Sequence, residues 1–137
     1  MSGHENALTK ALIAALREDA TLEALVGDRI WERVREDAGF PQLLIGRGES
    51  RPVTADGGGV EHRLTLSCAS RFNGLEEARA VASAARARLD GARMEADGVR
   101  TVSLNVTFVD AFRSGDGQRA WAVIRLRAVT EEVAGDE

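Results

Sequence analysis

The clearest pattern lies in residues 60–89, where the spacing of apolar residues changes along the chain. From residue 60 to residue 71 the even-numbered positions are mostly apolar and the odd-numbered ones mostly polar. This alternation predicts a strand with one buried and one solvated face. From Leu75 to Leu89 apolar residues recur at steps of three and four, which predicts a helix. Asn73 is the predicted N-cap, with Glu76 completing a capping box. Because its apolar stripe is rich in alanine, we expect this helix to cover one face of a sheet.

The N-terminal region predicts two helices that meet at an angle. Leucine and alanine share one face across residues 6–18, with Asn6 as a possible cap. Thr21 is the predicted cap of a second, shorter helix. We expect Gly27 to end that helix in a left-handed conformation.

The next region predicts two short strands followed by a long loop. Residues 29–34 and the apolar run 43–45 are the predicted strands, and proline is acceptable at the start of the second. Residues 46–59, GRGESRPVTADGGG, predict a flexible loop, and loops of this length in compact domains are usually functional or disordered. The acidic residues 131–137 predict a frayed tail.

Residues 99–130 predict a long β-hairpin, because apolar and polar residues alternate along both halves. Placing both apolar sets on one face keeps Arg125 and Arg127 out of the core. This register leaves a three-residue loop, 115–117, closed by Ser114 and Gln118, with Gly117 in a left-handed conformation. The predicted pairs on the apolar face, where Val102 also lies, are Leu104 with Ala128, Val106 with Leu126, and Phe108 with Ile124.

The same register makes the opposite face of the hairpin apolar towards its tip. There it places Val109 and Ala111 opposite Val123 and Trp121. Either a helix of the same chain or a neighbouring subunit is expected to cover this patch.

These elements together predict an α+β fold. Its sheet is mostly antiparallel, with a long C-terminal β-hairpin, packed by an N-terminal helix pair and one central helix. The length of 137 residues predicts a single domain over residues 1–137.

Composition and charge exclude several kinds of function and of binding site. A net charge of −4 argues against a dedicated nucleic-acid binder. One cysteine excludes an internal disulfide and any multi-cysteine zinc site. The polar N-terminus and the absence of a long apolar run predict synthesis in the cytoplasm, with no signal peptide and no membrane contact.

The candidate chemistry is sparse. His62 and Cys68 both lie on the inward side of the predicted strand, but six residues of strand separate their Cα atoms by roughly 20 Å. Cys68 is therefore expected to be a small buried residue, His62 a strand-end side chain with a polar partner, and His4 part of a mobile terminus. The remaining residues form no catalytic constellation, cofactor site or metal cluster, so we predict a protein that is not an enzyme and has no cofactor.

The order and spacing of several short motifs resemble a known family. They are Leu8…Leu12…Leu16, Leu25-Val-Gly27, Arg29-Ile-Trp31, Phe40-Pro41, His62-Arg-Leu-Thr-Leu66, Ser70-Arg71, Gly74…Glu77-Ala78 and the closing hairpin. Over residues 6–130 the sequence resembles the tail-completion, or tail-terminator, proteins of long-tailed phages, in particular the branch in phage-like gene transfer agents. The resemblance implies a structural virion protein that caps the head-proximal end of the tail tube as a hexameric ring.

The resemblance also implies a set of partners. These are further copies of the chain in a homohexameric ring, the tail tube protein, the head–tail connector or stopper protein, and double-stranded DNA passing through the ring without sequence-specific binding. The mature location implied is the head–tail junction of a phage-like particle. Our candidate interface residues are Val109, Ala111, Trp121 and Val123 in the hairpin, with Trp31, Arg47, Glu49 and Arg51 elsewhere.

Two other functions are compatible with the sequence. One is another neck component, such as a head-closure protein, and the other is a cytosolic module that binds a peptide or small ligand. Ring formation with a tail tube would favour the tail terminator, whereas an apolar cleft with converging polar groups would favour the binding module.

Overall fold

The computed structural model describes residues 3–53, 58–71 and 73–133, which form three helices and six strands. The helices are α1 (Gly3–Glu18), α2 (Ala20–Val26) and α3 (Leu75–Leu89). The strands are β1 (Ile30–Trp31), β2 (Gln42–Pro52), β3 (Val60–Arg71), β4 (Glu95–Ala96), β5 (Val99–Arg113) and β6 (Arg119–Glu132).

All six strands belong to one sheet in the order β1-β2-β3-β6-β5-β4. Only the β1–β2 pair is parallel, and every other neighbouring pair is antiparallel. The two long elements predicted from alternation, β3 and the β5–β6 hairpin, therefore occupy the centre and one side of the sheet. The α+β prediction, with its mostly antiparallel sheet and C-terminal hairpin, is confirmed.

The hydrophobic core lies between the helices and one face of the sheet. The buried side of α3 is mostly alanine, so its backbone approaches the sheet closely, as its sequence predicted. Larger side chains from α1 and the sheet fill the remaining space. Several of them are fully buried, including Leu12, Leu16, Leu66 and Ile124. Full burial of such a side chain contributes about 1.5–3 kcal/mol relative to exposure.

The helix caps differ from those predicted. Asp19 caps α2 instead of Thr21, because its Oδ2 accepts a hydrogen bond from the Leu22 amide at 3.0 Å. The N-cap of α3 is Gly74, without a side-chain cap, so the predicted role of Asn73 is wrong. A Cβ atom at Gly74 would lie 2.2 Å from Ser70 Oγ, which explains the glycine. Gly27 ends α2 with a positive φ of 62°, as predicted, but its ψ of −132° lies outside the left-handed helical conformation that was expected.

The flexible loop predicted at 46–59 is wrong for residues 46–52, which continue β2 alongside β3. The strand pairing shifts between Ile45 and Gly48, so a β-bulge allows the strand to continue through its glycines. Residues 54–57 of that segment lie outside the described residues. The strand predicted at 29–34 is shorter, since only Ile30–Trp31 pairs with β2.

The prediction of a frayed tail over residues 131–137 is wrong for residues 131–133. Glu131 and Glu132 belong to β6, and the amide of Val133 donates a hydrogen bond to the Gly98 carbonyl at 2.8 Å. Residues 134–137 lie outside the described residues.

The hairpin register is confirmed at its base and wrong at its tip. Leu104 pairs with Ala128 and Val106 with Leu126, as predicted. A bulge after Val106 then places Val109, instead of Phe108, opposite Ile124. From there to the tip each β5 residue faces the side opposite to the one predicted.

Two further details of the hairpin differ. Another irregularity between Thr101 and Ser103 leaves Val102 46% exposed instead of buried. The Ser114 amide bonds to the Arg119 carbonyl at 2.8 Å, so the turn is closed by these residues and not by Ser114 and Gln118. Gly117 has a φ of 73°, which confirms the positive φ predicted there.

The β2 bulge generates a stability prediction. A Cβ atom at Gly46 would lie 2.6 Å from the backbone oxygen of Thr65, whereas one at Gly115 has no atom within 4 Å. We expect Gly46→Ala to lower the free energy of unfolding by roughly 1–3 kcal/mol, because the backbone must shift. Gly115→Ala is the matched control and should be near neutral. Urea denaturation measures both, and equal stabilities would contradict a tight β2–β3 contact at the bulge.

Candidate functional site: the open face of the sheet

One face of the sheet packs on the helices, and we call the other the open face. Successive residues of β6 point to the two faces in turn. Ala122, Ile124 and Leu126 belong to the core, whereas Trp121 and Val123 are half-buried on the open face. The helices therefore do not cover Trp121 or Val123. The open face has an apolar part towards the hairpin tip and an arginine-rich part at its centre.

The apolar part lies in residues 108–124, which we call the distal hairpin. Phe108 is 44% exposed and Phe112 is 42% exposed. Phe112 pairs with Trp121, so these two aromatic side chains share the open face next to Val123. On the opposite side of the hairpin Val109 is 41% exposed. Five apolar side chains thus meet solvent or lie half-buried at one end of the molecule.

The placement of two predicted interface residues needs correction. Val109 and Ala111 were expected beside Trp121 and Val123 on one face, but they pair with Ile124 and Ala122 on the helix side. The bulge after Val106 is the cause. Ala111 packs against the core, whereas Val109 stays exposed. Phe108 and Phe112 occupy the open-face positions instead, and no feature of the residue pattern indicates the bulge that puts them there.

Trp31 lies on the open face at the far edge of the sheet. It pairs with Leu44, which is opposite Ser67, which is opposite Val123. Three inter-strand steps separate Trp31 from Val123 by about 14 Å, so the two predicted candidates do not touch. Trp31 is half-buried, donates a hydrogen bond from Nε1 to Gln42 Oε1 at 3.0 Å, and carries the Arg35 guanidinium over its ring at 4.1 Å.

Gln42 fixes the segment that covers one corner of the open face. Its side chain is 0% exposed and bonds to the backbone of Arg35 and Gly39 as well as to Trp31. The chain between Arg35 and Gly39 therefore passes over Gln42. Beside it the guanidinium of Arg119 lies over the Phe40 ring and pairs with Glu36. This corner is closed by the protein's own loop, which leaves the distal hairpin as the uncovered apolar part.

The centre of the open face is a groove of about 560 Å³ rich in arginine, which we call the arginine groove. Arg47 and Glu49 line it from β2, Arg63 from β3, and Arg125 and Arg127 from β6. The predicted interface residues Arg47, Glu49 and Arg51 are thus strand residues of this face. The residue pattern predicted that Arg125 and Arg127 face solvent. It did not indicate that β2 and β3 place further arginines beside them.

Glu61 holds one end of this arginine cluster together. Its carboxylate accepts hydrogen bonds from Arg51 Nε at 2.8 Å and Arg127 Nε at 2.6 Å, and lies 3.5 Å from Arg63 Nη2. The hydrogen bonds from Arg51 and Arg127 lower the pKa of Glu61 to about 2. Glu61 therefore stays ionised over the whole physiological pH range, and it fixes three guanidinium groups on the open face.

A second polar cluster joins α1 to the sheet on the helix side. Thr130 Oγ1 lies 2.8 Å from His62 Nε2 and 2.7 Å from His4 Nδ1. The chain of hydrogen bonds is complete when neutral His62 donates to Thr130 and the Thr130 hydroxyl donates to His4. The expected polar partner of His62 is confirmed. His4, expected in a mobile terminus, instead belongs to α1.

His62 is 1% exposed, and burial lowers its pKa, helped by the nearby His4 and opposed by Glu5. Its Nδ1 has no hydrogen-bond partner within the described part of the chain. Protonation would therefore place an unsatisfied N–H in the interior, so this cluster is a structural joint that requires neutral His62.

The described residues offer little for catalysis or metal binding. Cys68 is 0% exposed and burial raises its pKa to about 12, so its thiol is inert, as expected for a buried cysteine. No group of three or more metal-ligating side chains occurs within residues 3–53, 58–71 and 73–133. Among the same residues no helix is long and apolar enough to cross a bilayer.

The fold and the open face together define a small α+β protein whose sheet carries an arginine-rich groove and exposed aromatic side chains on the face away from the helices. A family model described as "Tail completion protein gp17" matches residues 10–131. The chain belongs to this family of tail completion proteins, which confirms the resemblance seen in the sequence.

A solved structure described as "Virion of native gene transfer agent (GTA) particle" contains a similar chain. The TM-score is 0.85 at 27% sequence identity, and the match covers 96% of this chain and 99% of the other. A comparison with curated proteins gave no match. The structural match thus spans almost the full length of both chains.

The Glu61 cluster generates a pH prediction. The pKa of Glu61 is lowered from its ordinary 4.5 to about 2, so the folded state gains stability from its charge above pH 4.5 and loses that gain as the pH falls to 2. We expect Glu61→Gln to be less stable than the wild type at pH 7, with the difference vanishing between pH 4.5 and 2. Urea denaturation at several pH values measures this, with Glu49→Gln as the control. A difference that persists at pH 2 would contradict the role of the charge.

His62 provides a second prediction of pH-dependent stability. Stability again falls as the pH falls, but in a higher pH range than for Glu61. Because its pKa is lowered on folding, the folded state loses stability as the pH falls below the ordinary histidine value of about 6.5. We expect His62→Gln, whose amide can still donate to Thr130, to reduce this loss between pH 7.5 and 5.5. His4→Gln should retain it. Thermal denaturation over this range tests the prediction, and an unchanged slope in His62→Gln would contradict it.

Proposed function

We propose that this protein assembles as a homohexameric ring on the head-proximal end of a tail tube. There it stops polymerisation of the tube and joins the tail to the connector or stopper protein of the head. Membership of the tail completion family and the match to a chain of a gene transfer agent virion support this proposal. On this proposal the protein is made in the host cytoplasm and ends at the head–tail junction of a phage-like particle.

The observation that carries the proposal is the uncovered apolar surface of the distal hairpin. Phe108, Val109 and Phe112 are each more than 40% exposed at one end of a small molecule. Burying a phenylalanine that is otherwise exposed stabilises a complex by about 1.5–3 kcal/mol. Exposed apolar side chains gathered at one end of a protein are typical of protein–protein contacts.

The backbone of β5 offers a second contact at the same end. The Gly91 amide donates to the Leu104 carbonyl and Asp90 Oδ1 accepts from the Val106 amide, so the chain itself covers the outer edge of β5 up to that point. Within the described residues β4 pairs only with Val99 and Arg100. Beyond Val106 no strand of the described residues pairs with this edge, and the Ala111 amide there donates to Asp110 Oδ1, so the rest of the edge is available for pairing with a strand of another molecule.

Termination of a polymer follows from two unlike surfaces. A ring forms when the contact between identical subunits is heterologous and closes after a fixed number of copies. One side of such a ring must match the last ring of the tube, and the other must not accept a further tube subunit. In this proposal the distal hairpin makes the contact between copies or with the tube. The second surface remains for the head-side protein.

The net charge suits a ring through which DNA passes. Binding to the DNA backbone depends on neutralising phosphates with lysine and arginine. A subunit with a net charge of −4 would hold DNA weakly, so that the duplex slides through without sequence-specific contact.

Deletion of the gene followed by electron microscopy of the particles tests the proposal. Overlong tails or tails without heads are expected if the protein ends the tube and joins it to the head. Tails of normal length that fail to join heads would instead indicate a head-closure component. Normal particles would contradict both roles and favour a cytosolic binding module.

The distal hairpin generates a specific prediction. We expect Phe112→Ser to reduce the protein on purified tails by roughly tenfold or more, because the variant removes an apolar contact from the centre of the interface. Trp121→Ala should act in the same direction. Val102→Ser is the matched control, since Val102 is 46% exposed on the same strand but at the base of the hairpin. Circular dichroism checks that each variant folds. Normal incorporation of folded Phe112→Ser would show that the hairpin does not make the contact.

A further inference from the structure

Two arginines of the arginine groove have no carboxylate partner. Arg47 and Arg125 are both exposed, and neither forms an ion pair within the part of the chain that the structure describes. The guanidinium of Arg125 lies 4.8 Å from the centre of the Phe108 ring, at the border of the distal hairpin. The groove is therefore continuous with the apolar surface but carries unbalanced positive charge.

The charges on this part of the open face can be counted. Five arginines (Arg47, Arg51, Arg63, Arg125 and Arg127) accompany two glutamates (Glu49 and Glu61), which leaves a net charge of +3. The whole chain has a net charge of −4. The protein is therefore electrically asymmetric, and the compensating negative charge lies elsewhere on it.

Much of that negative charge lies in residues 18–37, around β1, which we call the acidic end. This segment contains seven carboxylates and three arginines, a net charge of −4. Asp19 caps α2 and Glu36 pairs with Arg119. The other five carboxylates are exposed and form no ion pair or side-chain hydrogen bond among residues 3–53, 58–71 and 73–133: Glu18, Glu23, Asp28, Glu32 and Asp37.

No ion pair joins the acidic end to an arginine of the groove within the described residues of the same molecule. Hydrogen bonds from Gln42 hold residues 35–39 at the β1 side of the sheet. Trp31 and Arg125 are three strands apart across the sheet and two residues apart along it. Their Cα atoms are therefore separated by roughly 15 Å. An ion pair needs its charged atoms within about 4 Å. The groove and the acidic end thus remain separate, complementary surfaces.

We infer that the arginine groove of one copy binds the acidic end around β1 of a second copy. This inference rests on the proposed ring and specifies how its neighbouring subunits recognise each other. The contact joins two different surfaces of identical chains, which is the heterologous arrangement that a ring requires. Unlike charges orient the two copies as they meet, and like charges disfavour the reversed contact.

The composition of the groove favours this occupant over a nucleic acid. Glu49 and Glu61 lie among the arginines, and a phosphate backbone would meet their charges as well. The acidic end carries Arg29, Arg33 and Arg35 between its carboxylates, so it presents both signs of charge to a surface that also presents both.

A charge exchange between two variants tests the inference. The groove variant carries Arg47→Glu and Arg125→Glu, which changes the net charge of the groove from +3 to −1, and the acidic-end variant carries Glu23→Arg, Asp28→Arg and Glu32→Arg, which changes that of the acidic end from −4 to +2. Each variant alone would place like charges on both sides of the contact. When both are present in one cell, every contact between the two kinds of subunit joins unlike charges, and subunits can alternate around an even-numbered ring.

Incorporation into particles is the readout, in a deletion strain that produces one variant or both. We expect each variant alone to lower the protein on tails and the number of head-joined tails by on the order of tenfold, and the two together to restore both. Arg79→Glu with Arg86→Glu, a charge change equal to that of the groove variant on the exposed side of α3, is the control and should assemble normally. Circular dichroism confirms folding of each variant.

Other outcomes would overturn the inference in distinguishable ways. Normal assembly of either folded variant alone, or failure of the pair to restore assembly, would show that these two surfaces do not meet. Binding of duplex DNA by the wild type, lost in the groove variant, would identify a phosphate-binding groove if the pair also failed to restore assembly. Absence of the wild-type protein from tails would contradict the proposed function itself.

Discussion

The pairing of β3 with β6 is the constraint on which the rest of the structure depends. Twelve consecutive residue pairs, from Val60 with Thr130 to Arg71 with Arg119, run without a bulge. A shift of one residue would turn every side chain of one strand to the other face. It would place Arg125 and Arg127 beneath α3 and remove Ile124 and Leu126 from the core. The unbroken ladder therefore fixes which side chains build the core and which remain on the open face.

The two faces of this ladder have different roles. The helix side is closed by α3, whose alanines permit close packing, and by α1, which the His4–Thr130–His62 hydrogen bonds join to the sheet. The open side keeps arginines that Glu61 holds in fixed positions and aromatic side chains that no helix covers. In the proposed ring this division would let a subunit bind its neighbours through residues that add nothing to the core.

The bulges change this simple arrangement at the distal hairpin and at the arginine groove. In β5 the extra residue after Val106 turns Phe108 and Phe112 to the open face and Val109 to the other, so the distal hairpin is apolar on both sides. In β2 the bulge between Ile45 and Gly48 lets the strand continue and brings Arg47 and Glu49 beside the arginines of β3 and β6. Bulges of this kind redirect side chains without ending a strand.

The sequence by itself determined the elements and the family. The period-two pattern of residues 60–71, the alanine stripe of α3 and the alternation of the hairpin reflect burial on one side of a regular backbone, which is a local property. The tertiary structure alone decided the positions of the bulges, the extension of β2 through 46–52, and the meeting of Arg47, Arg63 and Arg125 in one groove. These features depend on cross-strand partners that are distant in the chain, such as Thr65 beside Gly46, and residue-by-residue patterns do not record which strands become neighbours.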